Sequence, residues 1–230
     1  LQWDDPERKS YREMIAYETI QANDEILQAI ELEELVPKIY QRINGEIIEH
    51  DMRSESCENF AKPMDGFSRG FTNILSLDLF SPTFDYESDH LLSNHPLVYA
   101  SKDVLVLTEN SWDWWWFWGN DGLDESTNIH TFDISEPGTT IYSGSGRVDG
   151  TIQNQFSISE YEGVVRVATT TGQWGRWWLE NPEPMESHVI CMEHSQEDSG
   201  EKRLVEIGRV DGIAYNETIW SARFVEDRAY

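Results

Sequence analysis

Apolar positions recur at helical steps in only one stretch of this chain, residues 6 to about 37. Asp5 is an N-cap candidate and Pro6 fits the first helical position. Ser10 and Glu13 have capping-box spacing. Tyr11, Ile15, Ile26 and Ile30 fall near one stripe, Leu32, Leu35 and Val36 extend it, and Pro37 stops it. The spacing predicts an amphipathic helix. Its acidic flanks favour packing against its own protein over docking to a membrane surface or a partner helix.

After about residue 70 the period shortens to that of strands. Phe71–Leu77, Leu97–Ala100, Val104–Thr108, Ile129–Ile134, Thr140–Tyr142, Val164–Thr169, Val189–Met192 and Leu204–Ile207 are short β runs. Ser101-Lys102-Asp103 reads as a hairpin turn between two of them. No helix-length apolar period separates the runs, so antiparallel hairpins are expected rather than a parallel sheet with crossover helices.

An internal repeat organises these strands. Gly146-Arg147-Val148-Asp149-Gly150 returns 62 residues later as Gly208-Arg209-Val210-Asp211-Gly212, and Asn154 and Asn216 keep that offset. Asp149 and Asp211 precede glycines and are expected to make turns. A strand, a charged turn and another strand follow each copy, with Glu160-Tyr161-Glu162-Gly163 and Glu226-Asp227-Arg228 as the turns. A second echo, Leu77-Asp78-Leu79 against Phe132-Asp133-Ile134, is offset by 55. Four short strands in roughly 50–60 residues fit propeller blades with long loops. The expectation is therefore mainly β: consecutive antiparallel blades of a partial β-propeller with an N-terminal helical insert. The insert spans residues 1–40. About three blades span 41–230, the first and last incomplete. The chain starts without Met and its last residues read as strand–turn–strand, which suggests a processed product or a piece of something longer.

Charge narrows the partners. Asp and Glu number 43 against 17 Lys and Arg, a net charge of −26. Nucleic acid and anionic membrane surfaces are disfavoured, and no apolar run is long enough to span a bilayer. A solubilising surface is the plain reading of the acidity, and attraction for cations or a basic partner the functional one. Cys57 and Cys191 are either one long-loop bridge or two buried thiols. Exposed sheet edges at the ends of an open blade set would invite self-association.

Several segments resemble the bacterial and archaeal family of secreted proteins with a C-terminal β-propeller domain. They are Ser145–Gly150, Asn154–Ser157, Glu160-Tyr161, Arg166–Gly172, Val98–Ser101 before a Trp cluster, and Ile219–Phe224. Leu35-Val36-Pro37 resembles the end of an insert in that family. The resemblance covers most of residues 30–230. It implies an extracytoplasmic protein, secreted or anchored at the cell surface, of undefined biochemical role.

The chemistry-bearing candidates are few. Trp112, Trp114, Trp115, Trp116, Phe117 and Trp118 form a dense aromatic run. Such rings stack on sugars, grip a peptide, or bury themselves over the blades. Asp121, Asp124 and Glu125 offer hard oxygen ligands that suit Ca²⁺, though their spacing is not that of an EF-hand. No other cofactor is indicated. The six histidines form no zinc pattern, and HExxH, CxxC, GxSxG and phosphate-cradling motifs are absent. Asn216-Glu217-Thr218 fits a glycosylation sequon. The expected role is a non-enzymatic binding or scaffold module for a protein or glycan ligand. A glycan-active hydrolase with its site on the propeller loops is the alternative.

Overall fold

The structure, a computed structural model, describes residues 6–31, 34, 37–51, 59–63, 70–93, 96–111, 125–172, 184–195 and 202–230. The chain divides into two compact units, Leu1–Arg53 and Ser54–Tyr230.

The first unit holds helix α1 (Pro6–Ala29) and a hairpin of β1 (Lys38–Ile43) and β2 (Glu46–Asp51). Asn44 and Gly45 take φ of 52° and 92° between the paired Ile43 and Glu46. Both turn residues are thus left-handed, as a two-residue hairpin loop of the primed type requires. The expected buried stripe on α1 is corrected. Every side chain from Arg8 to Ala29 is exposed, including Tyr11, Met14, Ile15, Tyr17 and Ile20. Its apolar side chains are spread around the axis, so no single face could bury them all. The helix also ends at Ala29, before Pro37.

The second unit is a succession of antiparallel sheets. The most regular is a four-stranded meander of β6 (Leu97–Ala100), β7 (Val104–Asn110), β8 (Ser126–Asp133) and β9 (Ile141–Asp149). Its first turn is tied by the Ser101 hydroxyl, which accepts the Val104 N–H at 3.1 Å. The next sheet repeats the plan with β12 (Val164–Thr171), β13 (Glu186–His194) and β14 (Leu204–Ile213). Its first strand is broken in two: β10 (Thr151–Ile152) and β11 (Ile158–Tyr161) both pair with β12. A turn of 3₁₀-helix, Gln155–Ser157, breaks it, and the Asn154 side chain accepts the Phe156 N–H.

Flanking these are a three-stranded sheet and a short hairpin. The three-stranded sheet has the order β3 (Phe60–Ala61), β5 (Tyr86–Leu92), β4 (Phe71–Leu77). The hairpin joins β15 (Phe224–Val225) to β16 (Arg228–Ala229).

The sequence echoes map onto these strands. β4 and β5 lie 55 residues before β8 and β9. Asp78 and Asp133 end the two leading strands in the same way, each accepting an N–H two residues on, from Phe80 and Ser135 at 2.9 Å. β4 and β5 are therefore the third and fourth strands of a sheet. The 62-residue return of Gly-Arg-Val-Asp-Gly joins β9 to β14, both fourth strands. Asn154 and Asn216 part company, however: Asn154 is an extended cap, whereas Asn216 is left-handed with φ 63°.

Consecutive sheets stack face to face. Val106, Ile129 and Val148 of the β6–β9 sheet pack against Ile152, Ile158, Val165, Val167, Ile190, Met192 and Leu204 of the next. On the other side Leu107 and Phe132 meet Leu91, with Ile74 and Tyr142 alongside. β8 is thus buried on both faces, which explains how Thr127, Asn128, His130 and Thr131 come to be core residues. Fully burying one Val or Ile contributes roughly 1.5–3 kcal/mol, so these two layers dominate the stability of the unit.

Candidate functional site

Both central sheets share one polar end. There the second strand stops, a long connection leaves, and the third strand begins. In the first sheet the connection runs between Ser111 and Glu125, and in the second between Gly172 and Pro184.

Polar side chains bind each of these ends. In the β6–β9 sheet the Thr127 hydroxyl lies 2.7 Å from the Gly150 carbonyl and 3.0 Å from Asn110 Oδ1. Arg147 donates from Nε to Ser126 Oγ at 2.7 Å and from Nη2 to Ser111 Oγ at 3.3 Å. The Ser111 N–H meets the Ser126 carbonyl at 2.8 Å, and the Gly150 N–H meets that of Glu125 at 2.5 Å. The mouth of the connection is therefore rigidly closed by backbone and side chain together.

In the second sheet the corresponding pair is Thr170 and Ser187, hydroxyl to hydroxyl at 3.1 Å. Beside it runs a chain across three strands. Thr171 Oγ1 is 3.0 Å from His188 Nε2, and His188 Nδ1 is 2.7 Å from Asp211 Oδ1. Arg209 completes the network: it forks onto Glu206 at 3.0 and 2.8 Å and donates to Asp149 Oδ2 at 2.8 Å. The Glu206 carboxylate, seconded by Asp149, holds the guanidinium pKa above its ordinary value against desolvation. The two Asp–Gly steps of the repeat thus converge on one arginine, which bridges neighbouring sheets.

Gly150 is left-handed at φ 82° in the turn after Asp149, as expected. The turn expected at Asp211 is corrected: Gly212 is left-handed too, at φ 72°, but it stands inside β14, where the pairing with β13 shifts register. Asp211 is a strand residue whose carboxylate orients His188.

The sequence-predicted ligands divide between described and undescribed segments. Trp112, Trp114, Trp115, Trp116 and Trp118 lie outside the described residues, as do Asp121 and Asp124. Glu125 is described: it is buried, and its carbonyl accepts the Gly150 N–H. Among the described residues no three acidic, histidine or cysteine side chains are grouped to hold a metal ion. Cys191 is a free, half-buried thiol on β13, and Cys57 lies outside the described residues.

Strand equivalence reveals a pattern that the sequence reading passed over. β7 and β8 correspond to β12 and β13 at a constant offset of 60 residues. At that same offset Trp114 matches Trp174, Phe117 matches Trp177, and Trp118 matches Trp178. Both connections at the polar end are therefore aromatic at the same three positions. A gap-free comparison of residues 104–133 with 164–193 carries that signal. It is weak because the identities are scattered, with no contiguous word like Gly-Arg-Val-Asp-Gly.

The comparisons with known proteins agree with this architecture. A family model described as Beta propeller domain matches residues 9–230. An uncharacterized protein from Methanocaldococcus jannaschii is 31% identical over 86 residues, which is 37% of this chain and 12% of that protein. The chain thus matches only a small part of that relative's length. No solved structure matches. No helix among the described residues is long and apolar enough to cross a membrane.

Proposed function

We propose that this chain, which belongs to the beta propeller domain family, is an extracytoplasmic, non-enzymatic binding module. Its ligand, a glycan or a peptide, meets the aromatic connections at the shared polar end of the two central sheets. The observation that carries this reading is the matched aromatic set, Trp114, Phe117 and Trp118 against Trp174, Trp177 and Trp178, on equivalent connections of neighbouring sheets. A repeated aromatic platform suits a ligand with repeated units, because each sugar or side chain finds a ring to stack on.

The same geometry favours binding over the alternative of glycan hydrolysis. A glycosidase needs two carboxyl groups free to exchange protons and to attack or activate water. At this end Asp149 and Asp211 are both engaged, with Arg209 and with His188. Export from the cytoplasm is part of the proposal, and the affinity of acidic oxygens such as Glu125 for Ca²⁺ is a further element of it.

A glycan and peptide array probed with the intact chain tests the reading. Replacing Trp114 and Trp118 by Ala should lower binding by about tenfold or more, as expected for losing ring contacts of roughly 0.5–1.5 kcal/mol each beyond their buried area. Replacing Trp174 and Trp178 should do the same. Binding unaffected by either pair would overturn it.

A further inference from the structure

We infer that Asp89 on β5, Thr140 just before β9 and the neighbouring Glu87 form a site for a hard divalent cation, Ca²⁺, between the β3–β5–β4 sheet and the β6–β9 sheet. The site lies at the end of β9 away from Gly150, so it is separate from the aromatic connections.

Two oxygens carry the inference. Asp89 and Thr140 are only 7% and 6% exposed. Asp89 Oδ2 and Thr140 Oγ1 are both sealed from solvent, and neither has a hydrogen-bond partner. The hydroxyl is near enough to favour the Asp89 carboxylate, but burial outweighs it. A second carboxylate stands beside them. Glu87 lies two residues before Asp89, hence on the same face of β5, and its Oε2 accepts the Thr140 N–H at 3.0 Å. Glu87 is exposed, so an ion can enter from its side and keep water there.

Nearby cationic groups are committed elsewhere. Lys202 Nζ donates to the Tyr142 carbonyl at 2.7 Å. His90 Nδ1 is 2.7 Å from Asn73 Oδ1, and its ring stacks on Phe60. Burying a carboxylate without a full partner is costly. A cation bound to both orphaned oxygens offsets that cost.

The next junction between sheets closes without these oxygens. At the 55- and 62-residue offsets, Gly144 takes the place of Asp89 and Lys202 that of Thr140. The two meet there as well, since a Cβ built on Gly144 would lie 3.2 Å from the Lys202 carbonyl. That contact is backbone packing, with a lysine where the first junction has a hydroxyl. The buried carboxylate and hydroxyl are thus additions to a contact that the fold makes without them.

Carboxylate, hydroxyl and water oxygens suit Ca²⁺, which accepts irregular shells of about six to eight oxygens, better than Mg²⁺, which demands a regular octahedron. With few protein donors the affinity should be weak, with a Kd on the order of 10⁻⁴–10⁻³ M.

Scanning calorimetry of the full chain, stripped with EDTA, is the test. Melting in about 10 mM CaCl₂ is compared with melting in NaCl of equal ionic strength, because salt alone screens the net charge of −26. The Ca²⁺-specific gain should be roughly ten- to a hundredfold in the folded-to-unfolded ratio. Asp89→Asn should melt higher than the unaltered chain in EDTA, since the buried charge is gone, and should lose the Ca²⁺-specific gain. Thr140→Val keeps the volume of the buried side chain and should reduce that gain severalfold. A gain that persists undiminished in either variant would overturn the proposal. So would an unaltered chain that melts alike in CaCl₂ and NaCl.

Discussion

At the scale of single residues, Asp89 is an uncomfortable group among the described residues of the second unit. It lies on β5 with Oδ2 buried and unpartnered, and the Thr140 hydroxyl is buried and unpartnered as well. Burial pushes its carboxyl above the ordinary aspartate range. The nearby Thr140 hydroxyl pulls it part of the way back, and the charge of Glu87 adds to the rise. The folded protein therefore holds this proton more tightly than the unfolded chain does. The stability linked to Asp89 is complete below the unfolded value of about 3.9 and is lost as pH rises through the higher folded value. Asp89→Asn should raise the thermal midpoint at neutral pH and give no gain in strong acid. Melting curves of both proteins at pH 7 and pH 3 would check this, and a midpoint lowered at pH 7 would contradict it. Little at this scale was legible beforehand. Forty-three acids look alike in a sequence, and only the fold brings Thr140 beside one of them.

At the scale of elements, the glycines of the repeat decide how closely sheets approach. Gly146 lies where any Cβ would strike backbone and side chain of the next sheet. Gly146→Ala should therefore cost about 1–3 kcal/mol of overpacking, lowering the midpoint by roughly 2–4 °C per kcal/mol. Scanning calorimetry measures this directly, and a neutral effect would show that the two layers slide apart at little cost. Strands and repeat were legible here, since the short apolar runs mark strands and the returning Gly-Arg-Val-Asp-Gly marks two fourth strands. The N-terminal helix was half legible. Pro6 fixed its start, but the stripe of Tyr11, Ile15, Ile26 and Ile30 ignored Met14, Tyr17 and Ile20 on the remaining faces. The aromatic match between the two connections escaped notice because it emerges only once β7 and β12 are known to be equivalent.

At the scale of the whole molecule, charge and stacking act against each other. A net charge of −26 spread over 230 residues repels itself, while burial between successive sheets holds the layers together. Raising NaCl from 20 to 500 mM shortens the screening length from roughly 20 Å to about 4 Å, so the melting midpoint should rise across that range. An unchanged midpoint would mean that the acids are spaced too widely to matter.

The crowding at Gly146 has a counterpart that differs, and the difference bears on descent. Leu91 on β5 stands 55 residues earlier at the matching place, and it meets Leu107 and Phe132. At Gly146 the contacts of Met192 and Leu204 leave no room even for a Cβ. The two junctions are therefore not interchangeable. Duplication of one sheet by unequal crossing-over would set a leucine-type floor under a glycine-type cover, or the reverse, and would need a second substitution before the new neighbours fitted.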